Sequence, residues 1–81
     1  MDFPSLKARQ VLALLGREPL AYRVSRQKGS HRLLESNNGY PPMRFWAHDG
    51  ATLPPRAVRE ILTKKAGLSE EEAATLLKGG S

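Results

Sequence analysis

Residues 20–36 read LAYRVSRQKGSHRLLES, and the fold turns on this stretch. Over residues 20–26, Leu20, Tyr22 and Val24 alternate with Ala21, Arg23 and Ser25, the period of a strand with one apolar and one mixed face. Gln27-Lys28-Gly29-Ser30 supplies a turn, and residues 31–36 form a second strand. Strands joined this closely pair antiparallel. Asn37-Asn38-Gly39 is the next turn signal, lengthened by Pro41-Pro42, and residues 43–48 give a third strand ending at Asp49-Gly50. Leu33-Leu34 and Phe45-Trp46 put apolar side chains on both faces of this meander. Helices are therefore expected over one face, with the other partly occupied.

Helical signals flank the strands. Residues 6–15 carry Ala8, Val11, Leu12 and Leu15 on one stripe, with Ser5 as the N-cap and Gly16 as a left-handed stop backed by Pro19. Pro54-Pro55 opens a second helix with Pro55 in its first turn and Val58, Ile61 and Leu62 as its stripe. Gly67 closes it, so that Leu68 folds back on Leu62. Ser69-Glu70-Glu71-Glu72 is a capping box at the positive end of a short last helix, which carries Ala73, Leu76 and Leu77 to about Lys78. The predicted architecture is one α+β domain over residues 1–81 with flexible ends at 1–4 and 79–81. Its order is α-β-β-β-α, a three-stranded antiparallel sheet with helices on one face and an extra short C-terminal helix. Double-stranded-RNA-binding domains have this layout, although a layout by itself assigns no function.

Composition narrows the chemistry. The 81 residues include no cysteine, which excludes disulfides, thiolate nucleophiles and cysteine zinc sites. His31 and His48 are too few for a multi-histidine metal cage, so neither a metal nor another cofactor is expected. No apolar run approaches the ~18 residues of a membrane span, and no signal-peptide core is apparent at the N-terminus. The expectation is a small cytoplasmic protein with no membrane attachment. Thirteen Lys and Arg stand against eight Asp and Glu, for a net charge of +5. The sequence pI is near 10.1, a balance that favours a polyanionic partner such as nucleic acid. Residues 7–65 hold twelve of the basic residues and only four of the acidic ones. The densest cluster is Arg23, Arg26, Lys28 and Arg32.

At the centre of that cluster lies Arg26-Gln27-Lys28-Gly29-Ser30-His31-Arg32. A glycine turn exposes backbone N–H groups, the Ser30 hydroxyl adds a donor, and the surrounding cations suit a phosphate. His31 is the group there able to exchange a proton near neutral pH. Cleaving an RNA phosphodiester through its own 2′-OH needs a base for the hydroxyl proton, an acid for the leaving 5′ oxygen, and cations for the charge gathering on phosphorus. A histidine between Lys28 and Arg32 meets the first and third needs. A histidine that only makes a hydrogen bond at a strand start has the same local sequence. Arg44 on the third strand is a further candidate phosphate contact, and Trp46 and Tyr40 are aromatics that could stack on unpaired bases or pack in the core. His48 and Asp49, as neighbours on an extended segment, point to opposite faces and are poorly set to share a ligand, so His48 reads as a structural turn residue.

The residues 26–32, RQKGSHR, resemble the signature of the HicA (YcfA-like) toxin family. His48-Asp49-Gly50-Ala51-Thr52-Leu53-Pro54 is similar to a second segment of that family. Ile61-Leu62 with Ala66-Gly67-Leu68-Ser69 and Glu71-Glu72 is similar to its helix ending. The longer Tyr40-Pro41-Pro42 connection and Pro54-Pro55 depart from the family pattern. The resemblance implies a double-stranded-RNA-binding-like fold and metal-independent cleavage of mRNA by a toxin of a toxin–antitoxin pair. It also implies His31 as the catalytic residue and a HicB-type antitoxin as partner, with DNA reached only through the antitoxin complex. The expected site is thus His31 with Arg26, Lys28, Gly29, Ser30, Arg32 and Arg44 on the RNA. A non-catalytic RNA-binding module of the same fold is the alternative.

Overall fold

The computed structural model of the protein describes residues 2–78, and the ends at residue 1 and at 79–81 lie outside it. In chain order the elements are β1 (Leu6–Lys7), α1 (Ala8–Leu15), β2 (Tyr22–Lys28), β3 (His31–Ser36), β4 (Met43–Phe45), β5 (Thr52–Leu53), α2 (Pro55–Arg59), which runs on as a π-helical segment (Glu60–Lys65), and α3 (Glu70–Leu77). Strands β2, β3 and β4 form the antiparallel sheet in that order, so the class is α+β. The buried side chains of the sheet, Tyr22, Leu34, Met43 and Phe45, share one cluster with Val11 and Leu15 of α1, Val58 and Leu62 of the second helix, and Ala73 and Leu76 of α3. Among the described residues no helix is long and apolar enough to cross a membrane.

The order differs from α-β-β-β-α by a second, two-stranded ladder of β1 and β5, with Leu6 opposite Leu53 and Lys7 opposite Thr52. Leu6 and Lys7 are therefore strand rather than helix, α1 starts at Ala8, and Ser5 caps nothing. The first amides of the helix find carbonyls far along the chain instead. Ala8 N–H donates to Ala51 at 2.8 Å and Arg9 N–H to Asp49 at 3.3 Å. Gln10 Oε1 accepts from the Lys7 N–H at 2.8 Å. These bonds fasten α1 to the turn that follows the sheet, and they satisfy donors that a local cap would otherwise have to meet. Phe3, within the stretch read as a flexible end, is buried in the core.

The connection from α1 to β2 also departs from expectation. Gly16 ends the helix in the right-handed region, at φ −76°, so the left-handed freedom of glycine is not used there. The positive φ falls on Ala21, at 51°, where a β-carbon is strained. Two backbone bonds hold it: Ala21 N–H donates to Arg17 at 2.8 Å, and the Ala21 carbonyl accepts from Asn37 N–H at 3.0 Å. The Tyr22 hydroxyl donates to the Pro41 carbonyl and ties the long β3–β4 connection to the sheet. Burial pushes the Tyr22 phenol up, and neighbouring Tyr40 adds to the rise.

Pro55 lies in the first turn of α2, as its fixed φ favours. The helix then widens, and Ala66 N–H reaches back five residues to Ile61 at 3.0 Å. Gly67 takes φ +83° and Leu68 N–H donates to the Leu62 carbonyl at 3.0 Å, a Schellman-type closure one residue wider than the α-helical form. The capping box of α3 is complete: Ser69 Oγ accepts from Glu72 N–H at 3.1 Å and Glu72 Oε1 accepts from Ser69 N–H at 2.9 Å.

Candidate nucleic-acid interface

The β2–β3 hairpin is tighter than the four-residue turn expected. Strand β2 runs to Lys28, which pairs with His31, leaving Gly29-Ser30 as a two-residue loop. Gly29 has φ +61° while Ser30 keeps a negative φ, the type II′ pattern that matches strand twist and favours glycine at its first position. Gln27 Nε2 donates to the Gly29 carbonyl at 3.0 Å and braces the loop.

Register then decides which side chains share a face. Leu34 is buried, and on β3 the core face therefore takes Arg32, Leu34 and Ser36, while His31, Leu33 and Glu35 face away. On β2 the pairs are Tyr22–Ser36, Arg23–Glu35 and Val24–Leu34, then a shift, then Arg26–Leu33, Gln27–Arg32 and Lys28–His31. Ser25 is the extra residue of a β-bulge. Strict alternation would put Arg26 and Lys28 on the face of Tyr22 and Val24. The bulge reverses the phase, and both cations join His31 on the open face. On β4, Arg44 pairs with Leu33 and joins them, while Met43 and Phe45 are buried.

The open face therefore carries a row Arg26–Leu33–Arg44 across all three strands and a row Lys28–His31 beside it. Directly paired side chains on one face have Cβ atoms about 5 Å apart, and Arg26 and Arg44, one strand apart, are separated by about 10 Å. These residues, with Gly29 and Trp46, line an open cavity of about 600 Å³. His31 is exposed, and its imidazole makes no hydrogen bond among the described residues. Arg26, Lys28 and Arg44 have no ion-pair partner there, whereas Arg23 on the same face is matched by Glu35 at 3.6 Å. The unmatched positive charge is thus confined to the end of the sheet that holds the histidine.

Arg32 belongs elsewhere. It points to the core side, its side chain only 12% exposed, with Nη2 on Asp49 Oδ1 at 2.7 Å and Nη1 on the Ala47 carbonyl at 3.4 Å. Although its residue borders the cavity, the guanidinium is committed to holding the 47–49 segment. Arg32, expected as a phosphate contact, thus shares the cavity lining with His31 but holds its guanidinium on Asp49. Arg32→Ala should lower the melting temperature by a few degrees, since the pair is half in water and contributes about 1 kcal/mol. RNA affinity should keep its salt dependence, which titrations at several salt concentrations would check.

Ser30 is half-buried in the loop and does not line the cavity. Strand β4 ends at Phe45, so His48 lies outside the sheet. The His48 carbonyl closes the following turn by accepting from Ala51 N–H at 2.9 Å, and its exposed imidazole has no hydrogen bond among the described residues. No three His, Asp or Glu side chains gather closely enough among the described residues to hold a metal ion. Trp46, which its residue type places more readily in the core, is 57% exposed at the cavity edge. Compared with models of known protein families, with curated proteins and with solved structures, the chain matches none.

Proposed function

We propose that the protein is an endoribonuclease of the HicA-like toxin type, with a double-stranded-RNA-binding-like fold and His31 as its proton-transfer residue. One observation carries this reading: the Ser25 bulge turns Arg26 and Lys28 to the face where Arg44 lies, so that three cations without an ion-pair partner among the described residues surround an exposed His31. In the proposed reaction His31 accepts the 2′-OH proton as the 2′ oxygen attacks phosphorus. The bond from phosphorus to the 5′ oxygen breaks, and that oxygen takes a proton from solvent. The products are a 2′,3′-cyclic phosphate and a 5′-hydroxyl end. Arg26, Lys28 and Arg44 offset the added charge on the phosphoryl oxygens, with Gly29 and Ser30 at the loop as further contacts. A HicB-type antitoxin would be the partner in this reading, and the cytoplasm the compartment.

The test is incubation of the purified protein with mRNA in EDTA. Cleavage with cyclic-phosphate ends supports the proposal, and inert 2′-O-methylated RNA is expected beside it. Salt-dependent binding without cleavage would favour a non-catalytic RNA-binding module instead. Among the described residues the exposed imidazole has no hydrogen-bonded orienting group, a feature that reading accommodates equally well. In either case three phosphate contacts to a single strand give a slope of about −2 in log affinity against log salt. Arg44→Ala should make that slope shallower by about 0.7 and weaken binding for all sequences alike. An unchanged slope would remove Arg44 from the interface.

A further inference from the structure

The cations and the histidine account for a phosphate, but not for the large aromatic beside them. Trp46 follows β4 directly and is 57% exposed, next to strand residues that are buried. Trp46 lines two cavities. One is the cavity of His31, Arg26 and Arg44. The other is a groove of about 190 Å³ walled by Ala57, Glu60, Ile61 and Lys65 of the second helix. Lys65 Nζ lies 4.6 Å from the ring centroid, and Lys65 lines only this second groove. One face of the indole is therefore covered by an ammonium group held in a cation–π contact. Among the described residues no second cation–π contact to the ring is present beside that of Lys65.

We infer that Trp46 is a stacking platform for an unpaired base of the RNA, which lies on the indole face turned toward His31 while Lys65 braces the opposite face. This rests on the proposed RNA site and adds a positioning residue to it. A flat aromatic surface beside a cluster of cations fits a nucleotide, whose phosphate and base need one of each. It has no such use for a paired duplex, whose bases are already stacked within the helix. Stacking one base here sets the register of the strand, so that a defined phosphate reaches the histidine.

Trp46 is the chain's single tryptophan, so its fluorescence reports on this site alone. The probe is a labelled RNA hexamer with every 2′-OH methylated, which binds but cannot be cleaved by the proposed route. Saturable quenching of Trp46 is expected, together with about tenfold weaker binding for Trp46→Ala by anisotropy of the label, and partial recovery in Trp46→Phe. In cleavage of unmodified RNA, Trp46→Ala should raise KM and spread cleavage over more positions, because the strand then binds in several registers. The exposure of the ring makes the variants fold, which circular-dichroism melting would verify. Hexamer binding with unquenched Trp46 and unchanged affinity in Trp46→Ala would overturn the stacking inference and leave the RNA site standing. So would a duplex of the same sequence that binds and quenches as well as the single strand. A hexamer that does not bind at low salt would overturn both.

Discussion

His31→Ala is expected to abolish RNA cleavage while leaving the fold and RNA binding nearly untouched. General acid–base catalysis by a positioned side chain supplies about 10²–10⁴ in rate, and no second imidazole lines the cavity to replace it. The side chain is exposed and makes no hydrogen bond among the described residues, and its backbone pairing with Lys28 is available to alanine equally. A stability change within about 0.5 kcal/mol is therefore expected, as for surface positions without special contacts. Binding should persist, because Arg26, Lys28 and Arg44 remain. The measurement is single-turnover cleavage in EDTA, with a melting curve and a binding isotherm for the same preparation. Cleavage at the wild-type rate would refute the catalytic role of His31. Loss of cleavage accompanied by an equal loss of binding would move His31 among the phosphate contacts. His48→Ala is the natural control, since His48 lies outside the sheet and does not line the cavity.

Which parts of this site are readable in the chain depends on how far each signal reaches. The Gly29 turn, the Pro55 helix start and the Ser69–Glu72 capping box are set by neighbours within four residues, and all three are present. The β1–β5 ladder joins the segment before α1 to the one after the meander, more than forty residues apart in the chain, so nothing local to Leu6 or Thr52 announces it. A helix over residues 6–15 gives way at its start to this pairing and to the carbonyls of Asp49 and Ala51. The Ser25 bulge carries no signal either, since both Val24 and Ser25 suit a regular strand. Yet that one residue decides where Arg26 and Lys28 point. Arg32 is different, for on a regular strand it and His31 take opposite faces whichever of Leu33 and Leu34 meets the helices. The choice between the two leucines is not local, and the structure turns Leu34, with Arg32, to the core side. Trp46 is obscured by its type, since a large aromatic after a buried phenylalanine is ordinarily core.

Leu34→Ala should produce the largest loss of stability, and by a route that separates the scaffold from the chemistry. Leu34 is 2% exposed on the central strand, between Val24 of β2 and Met43 of β4. Removing a buried leucine side chain costs about 2–5 kcal/mol, because the transfer energy is lost and the cavity closes only in part. A chain of this length has a total stability of about 4–12 kcal/mol. No disulfide shares the load among the described residues. A loss of about 3 kcal/mol corresponds to a melting temperature lower by about 12–24 °C in so small a domain. Adjacent Leu33 lies on the opposite face, in the row between Arg26 and Arg44, so the substitution removes no atom from the cationic surface. Well below its melting temperature the variant should therefore cleave RNA at close to the wild-type rate per folded molecule. As temperature rises, activity should fall in step with the loss of ellipticity, whereas His31→Ala should melt like the wild type and be inactive throughout. A drop of less than about 3 °C would mean that Leu34 is not the keystone its burial implies. Activity lost at temperatures where the variant is still folded would mean that the sheet's two faces are coupled through its packing. In that case the cation rows depend on the core for their alignment as well as for their support.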